Sequence, residues 1–195
     1  MTSPKLKKNH LIETISNDFS LKKISIILIL IGLVSLSIRL NYLPFDLPLT
    51  NDAVGYFWYA NDLSILGNLP SKIGESAPAL TNQFPNNGWP SFLSLLFSMT
   101  NSDNFIDYMN VQRLTSVSIS ILTIIPIYLV STRFLSRNIS ILVVSMFTFS
   151  PRLIDNSLLG NPEPLFLILI FTSLYLFLSK KNNLIIISFI LIGLA

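Results

Sequence analysis

Long apolar blocks joined by polar segments dominate the hydropathy pattern of this chain. Because a helix needs about 20 mainly apolar residues to cross a bilayer, the pattern predicts an all-α, polytopic transmembrane helical bundle. Its predicted spans cover residues 24–40, 114–131, 138–150, 164–179 and 184–195. The fifth block reaches Ala195 without a polar flank, so we expect the chain to be the N-terminal part of a larger protein, truncated at its C-terminus.

The blocks are unevenly spaced and leave one long loop, residues 41–112, between the first two spans. Two amphipathic helices are predicted within it, over residues 52–66 and 90–99. We expect both to lie beside the membrane, in the interface plane. Residues 70–87 are rich in Pro, Gly, Asn and Ser and are predicted to form a mobile loop. The apolar face of the first helix is predicted to comprise Val54, Phe57, Trp58, Leu63, Ile65 and Leu66.

The composition, 51% hydrophobic and 12% charged, indicates an integral membrane protein and excludes an ordinary soluble domain. Basic residues are concentrated in the N-terminal tail and in the short loops after the second and fourth spans. These segments lie on one side of the membrane, which is expected to be the cytoplasm. The basic residues are Lys5, Lys7, Lys8, Lys22, Lys23, Arg133, Arg137, Lys180 and Lys181. We therefore expect a cytoplasmic tail over residues 1–23, an external loop over 41–112 and a multi-pass protein of the cell membrane. The basic pI of about 9.2 then reflects topology and does not indicate nucleic-acid binding.

The segment LPLTNDAVGYFWYA, residues 47–60, carries the main chemical candidate. Asp52 is predicted in the first turn of a helix capped by Thr50 or Asn51, where the positive end of the helix dipole favours a carboxylate. An aromatic run follows at residues 56–59. An acid held beside aromatic faces at the membrane surface suits chemistry on a polar substrate carried by a lipid. The alternative is structural: Asp52 favours the helix start, and the aromatic residues form an interfacial belt.

The residue types present constrain metal chemistry. The absence of cysteine removes disulfides and thiolate metal sites from consideration. The single histidine, His10, is predicted to be cytoplasmic, so a histidine-ligated zinc centre is not expected. No metal site and no cofactor is assigned from the residues alone.

Three stretches of the chain resemble membrane glycosyltransferases of the GT-C type. The likeness is to the dolichyl-phosphate-mannose protein mannosyltransferase and aminoarabinose transferase group. The stretches are NDAVGYFWYANDL at residues 51–63, PNNGWPSFLSLLFS at 85–98 and SPRLIDNSLLGNPEPLF at 150–166. The chain departs from the commonest pattern at Asp52 and Ala53, where many members have two adjacent acids.

The resemblance implies transfer of a hexosyl or pentosyl group from a polyprenyl- or dolichyl-phosphate donor to a protein, lipid or glycan acceptor on the external face. Such a reaction needs one carboxylate as general base, because the lipid phosphate is already a stable leaving anion. Asp52 is the candidate base. Glu163 matches a second acid that orients the acceptor or, together with Asp52, holds Mg²⁺ or Mn²⁺. Its structural alternative is to favour the start of the following helix.

Further substrate-binding candidates follow from this chemistry. Tyr56 and Trp58 are candidates to stack on the sugar, and interfacial anchoring explains them almost as well. Arg113 and Arg152 are candidate ligands of the donor phosphate. Arg39 is expected to close a lipid-facing span, and snorkelling to head groups is an equal explanation for Arg39 and Arg113. Two other classes stay open: a polytopic transporter or channel subunit, and a non-catalytic membrane scaffold.

Overall fold

The computed structural model describes residues 19–50, 52–66, 88–179 and 181–195, and every regular element in these ranges is helical. The helices described are α1 (Leu21–Tyr42), α2 (Asp52–Leu66), α3 (Gly88–Met99), α4 (Phe105–Leu122), α5 (Ile124–Ser131), α6 (Arg137–Thr148), α7 (Pro151–Leu159), α8 (Glu163–Phe177) and α9 (Asn182–Leu194). The all-α prediction is confirmed for this part of the chain. Asn51, the loop predicted over 70–87, residues 1–18 of the tail and Lys180 lie outside the described residues.

Two helical stretches are long and apolar enough to cross a membrane: α1, and Phe105–Ser131, which α4 and α5 form together. The other apolar helices, α6, α8 and α9, are shorter, with 12, 15 and 13 residues. In the middle of α1, Ile29, Leu30, Leu33 and Val34 are each more than half exposed. A contiguous exposed surface of this kind is typical of a helix that faces lipid or another protein.

The second predicted span begins earlier than the hydropathy pattern indicated. Helix α4 starts at Phe105, before the predicted residue 114, because Asn104 caps it: the Asn104 Oδ1 accepts the backbone N–H of Ile106 at 3.0 Å. Gln112 and Arg113 lowered the local hydropathy, yet both are almost fully buried. Gln112 Nε2 and the two Nη atoms of Arg113 find acceptors inside the protein, which hydropathy alone does not reveal.

The predicted helices of the long loop are confirmed, and they pack against each other. The rings of Phe57 on α2 and Phe97 on α3 lie 5.6 Å apart, and both side chains are buried. Ala53 and Ala60 of α2 are completely buried beside them, since small side chains allow the helices to approach closely. The predicted apolar face was wrong at Trp58, which is 37% exposed because it follows Phe57 around the helix onto the outer side.

A second apolar core lies among α1, α5 and α6, around Ile24, Ile127 and Val144. Beside it, Asn138 Oδ1 accepts the backbone N–H of Phe19 at 3.1 Å, which joins the starts of α6 and α1.

The end of α5 approaches α8 at the same end of the bundle, where the Arg133 guanidinium lies 4.9 Å from the ring centroid of Tyr175. The starts of α1 and α6 and the ends of α5 and α8 therefore meet. This arrangement collects Lys22, Lys23, Arg133 and Arg137 at one end of the molecule.

A helix, α7, occupies Pro151–Leu159, between the predicted spans over residues 138–150 and 164–179. Proline at its first position suits a helix start, and Gly160 closes it in the left-handed conformation with φ 80°.

Candidate functional site

The turn between α7 and α8 is held by three side chains from elsewhere in the chain. The carbonyl oxygen of Gly160 accepts two hydrogen bonds, from Trp89 Nε1 at 3.2 Å and from Gln112 Nε2 at 3.0 Å. The next carbonyl, of Asn161, accepts the Ser116 hydroxyl at 2.9 Å. Helices α3 and α4 therefore fix the path of the chain into α8.

The same glutamine also fixes the first turn of α2. Gln112 Nε2 donates to the carbonyl oxygen of Ala53 at 3.1 Å, in addition to its bond to Gly160. One buried amide thus ties the residue that follows Asp52 to the turn that precedes Glu163. The two candidate acids, 111 positions apart in sequence, both act electrostatically on Tyr56.

The charges of both acids reach Tyr56. Burial raises the pKa of the Tyr56 phenol above its ordinary value, and the charges of Asp52 and Glu163 raise it further. The phenol therefore stays protonated at neutral pH. Tyr56 lies one helical turn after Asp52, so both project from the same side of α2.

A cavity of about 570 Å³ opens beside this group. The residues that line it come from α2, α3, α8 and α9 and from the turn before α8: Tyr56, Gly88, Trp89, Pro162, Glu163, Leu165, Phe166, Gly193, Leu194 and Ala195. Its wall combines a carboxylate, a phenol and an indole with apolar side chains. Such a mixture suits a ligand with a polar head and an apolar tail.

The two acids differ in their surroundings. Oxygen Oε2 of Glu163 is buried and accepts no hydrogen bond from the residues that the structure describes. Asp52 is exposed, and no donor of the described residues bonds to its carboxylate. An unpaired buried carboxylate oxygen is costly in a structural role, so the pair is better suited to contact a ligand.

Arg113 binds the chain that leads into α2. Its guanidinium donates to three backbone carbonyl oxygens: Nη1 to Pro44 at 2.9 Å and to Leu47 at 2.7 Å, and Nη2 to Pro48 at 2.9 Å. The side chain is 3% exposed, so it does not snorkel to head groups. It positions the segment before Asp52 and keeps little capacity for a phosphate.

Arg39 is buried inside the bundle, and the expectation that it closes a lipid-facing span was wrong. Its Nε donates to Ser157 Oγ at 3.0 Å, and Nη2 donates to Ser120 Oγ and to the Thr148 carbonyl, each at 3.2 Å. Nη1 donates to the Ser35 carbonyl at 3.4 Å and also contacts the Ser35 hydroxyl. These bonds use all five N–H groups and join α1, α4, α6 and α7.

Two other candidates lie away from the cavity beside Tyr56. Arg152 is exposed and lines a separate cavity of about 510 Å³ along α6 and α7, with Met146 and Phe147 among its neighbours. Trp58 packs its ring 5.2 Å from Phe57 and 5.4 Å from Phe105 and does not line the cavity. The structure therefore places Tyr56 and Glu163 at one cavity, with Asp52 one helical turn before Tyr56 on α2, and leaves Trp58 and Arg152 outside that group.

Three residues that organise the site were not singled out from the sequence: Trp89, Gln112 and Gly160. A glutamine in the helix that leads into the second span and a glycine directly before Asn-Pro were the available signals. No group of three or more His, Cys, Asp or Glu side chains with metal-binding geometry occurs in the described ranges. Asp52 and Glu163 would therefore be the protein ligands on which a divalent cation beside Tyr56 depends.

Comparison with protein-family models, with curated proteins and with solved structures finds no match to this chain.

Proposed function

We propose that the protein is a multi-pass membrane glycosyltransferase that uses a polyprenyl-phosphate-linked sugar and acts on the external face. The observation that carries the proposal is a cavity lined by Tyr56 and Glu163, with Asp52 one helical turn before Tyr56 on α2 and near enough for its charge to raise the pKa of Tyr56. These are residues that the resemblance to the GT-C enzymes assigns to catalysis and substrate binding. The shorter apolar helices α6, α8 and α9 complete the membrane domain in this proposal.

The chemistry needs a base and a leaving group. The acceptor hydroxyl oxygen forms a bond to the anomeric carbon of the sugar while the bond from that carbon to the phosphate oxygen breaks. The hydroxyl proton passes to the Asp52 carboxylate, and the bonding electrons leave with the lipid phosphate. The carbon is attacked from the face opposite the phosphate, so the anomeric configuration inverts.

The neighbours of Asp52 have supporting roles in this reaction. Glu163 accepts a hydrogen bond from a hydroxyl of acceptor or donor through its unpaired Oε2. Tyr56 lines the cavity and packs its ring against the sugar. If a divalent cation takes part, Asp52 and Glu163 hold it and it neutralises the phosphate. The apolar wall formed by Leu165 and Phe166 takes the first units of the polyprenyl chain.

The charge distribution supports an external site. Lys22, Lys23, Arg133 and Arg137 gather at one end of the bundle, and the basic end of a membrane protein faces the cytoplasm. Asp52 and Glu163 belong to the opposite end, because they flank the end of α1 and the start of α8. The donor, the acceptor and the proposed base Asp52 are then on the side where surface glycoconjugates are assembled.

The test is a transfer assay in membranes from cells that lack the endogenous protein and express variants of it. Asp52→Asn keeps the shape of the side chain and removes the basic oxygen. We expect at least a roughly hundredfold loss of turnover with a retained donor affinity. Asp62→Asn is the matched control on the same helix and should transfer as the wild type does. Near-wild-type turnover of Asp52→Asn would leave Asp52 with the structural role of favouring the helix start.

A further inference from the structure

A second cavity lies on the far side of α2, with a volume of about 300 Å³. It is formed by the second half of α2, the end of α3 and the start of α4. Asn61 lies nine positions after Asp52 on α2, which corresponds to about 13 Å along the axis and half a turn around it. The cavity is therefore separate from the one beside Tyr56.

Asn61 supplies an unsatisfied amide to this cavity. The residue is 8% exposed and lines the cavity wall. Its backbone carbonyl accepts the Ser64 hydroxyl at 2.7 Å, but its side-chain amide makes no hydrogen bond with the described residues. The amide carries two donors and an acceptor and lines the cavity. It is thus prepared to exchange hydrogen bonds with a ligand.

The hydroxyl groups of the wall point their protons away from the cavity. Ser98 donates to the Leu95 carbonyl at 2.8 Å, and Tyr108 donates to the Thr100 carbonyl at 3.0 Å. The Ser64 hydroxyl likewise donates to the Asn61 carbonyl oxygen. Each oxygen keeps lone pairs for a donor that enters the cavity.

Asp103 adds a negatively charged acceptor to this wall. It is exposed, lines the cavity and accepts no hydrogen bond from the described residues. None of the residues described as lining the cavity carries a positive charge. A ligand that offers several hydroxyl donors and no negative charge fits such a wall.

Aromatic rings form the apolar part of the cavity. Phe97 and Tyr108 meet edge to face at 5.5 Å, and Phe105 stands beside them with about half of its surface exposed. The C–H face of a pyranose packs on aromatic rings while its hydroxyls reach polar groups at the rim. We infer that this cavity binds a neutral pyranose ring of a glycan, through Asn61, Asp103 and the aromatic wall.

The binding measurement does not depend on the proposed transferase reaction. The protein is placed in phosphatidylcholine nanodiscs without glycoside detergents, which carry the same kind of ring. Saturation-transfer difference NMR is recorded with methyl glycosides of mannose, glucose and galactose, and with methyl glucuronide as the anionic probe. We expect saturation of at least one neutral glycoside and none of the glucuronide.

Variants locate the binding. Asp103→Ala changes an exposed residue and should weaken binding of the neutral glycoside at least about tenfold, as should Asn61→Ala. Asp62→Ala removes a neighbouring acid that does not line the cavity and should bind like the wild type. Asp52→Asn should also bind the neutral glycoside as the wild type does. The binding result therefore does not depend on whether the transferase proposal is correct. No binding of any neutral glycoside, or wild-type binding in Asp103→Ala, would overturn the inference.

Discussion

Gln112 and Gly160 are joined by a hydrogen bond of 3.0 Å from the glutamine amide to the glycine carbonyl oxygen. The Gln112 side chain also packs against Gly160: a Cβ atom added at Gly160 would lie 3.1 Å from Gln112 Cγ. A side chain at Gly160 would require Gln112 to shift by a few tenths of an ångström. The path of the backbone from Gly160 to Glu163 therefore depends on one glycine and one glutamine.

Gly160→Ala is therefore expected to destabilise the protein. Gly160 has φ 80°, a conformation that costs a residue with a Cβ roughly 1–3 kcal/mol, and the added methyl would also press on Gln112. Thermal unfolding in nanodiscs, followed by tryptophan fluorescence, measures the loss. The control is Gly193→Ala, since a Cβ there meets nothing within 4 Å. Equal unfolding midpoints for the two variants would contradict the role assigned to Gly160.

The sequence predicted the helices better than it predicted their partners. The periodic pattern of residues 52–66 and the Trp-Pro start of α3 were sufficient to place both loop helices, because local capping and proline rules decide them. Arg39 was misassigned because its acceptors lie up to 118 positions away in sequence. Such long-range pairing leaves no periodic signal in a single sequence.

The candidate site was predicted in part. Asp52 and Tyr56 share one face of a helix, so their proximity could be expected from spacing alone. Glu163 joins them only because Gln112 and Trp89 hold the turn before α8. Trp58 belongs to the same aromatic run as Tyr56 but faces Phe105, because two residues further along a helix point to a different side.

Ionisation of Tyr56 tests the proximity of the two acids. The pKa of Tyr56 in the folded protein is raised mainly by burial and further by the charges of Asp52 and Glu163. The protonated phenol therefore adds stability that is fully present below its unfolded pKa of about 10. This stability is lost as the pH rises through the folded-state pKa. The tyrosinate absorbance of wild type minus Tyr56→Phe isolates this group. We expect its midpoint above about pH 10 and a lower midpoint in Asp52→Asn and in Glu163→Gln. Unchanged midpoints in both variants would place the acids too far from Tyr56.

Membrane orientation can be tested on a chain that contains no cysteine. Single cysteines are introduced by Asp155→Cys and by Arg137→Cys, both at exposed positions. Because the basic end is expected in the cytoplasm, a membrane-impermeant maleimide should label Asp155→Cys in intact cells. It should label Arg137→Cys only after permeabilisation. The reverse pattern would place Asp52 and Glu163 in the cytoplasm and remove the external site.

The two arginines Arg39 and Arg152 should respond differently to the same change to lysine. At Arg39 the change replaces five donors in a planar fork by three on a flexible stem, so several of the bonds that join α1 to α4, α6 and α7 are lost. We expect Arg39→Lys to lower the free energy of unfolding by roughly 2–4 kcal/mol. Arg152 is exposed, so Arg152→Lys should alter stability by less than about 0.5 kcal/mol.

Donor use separates the two positions further. If Arg152 grips the phosphate of the lipid-linked sugar, lysine cannot supply the two parallel hydrogen bonds, and the apparent affinity for the donor should fall in Arg152→Lys. Apparent affinity in the folded fraction of Arg39→Lys should be unchanged, because its guanidinium is already saturated by protein oxygens. Chemical unfolding and donor titration in the same nanodisc preparations measure both effects. A stable Arg39→Lys would contradict the interhelical role of Arg39, and an unchanged donor affinity in Arg152→Lys would show that the phosphate is held elsewhere.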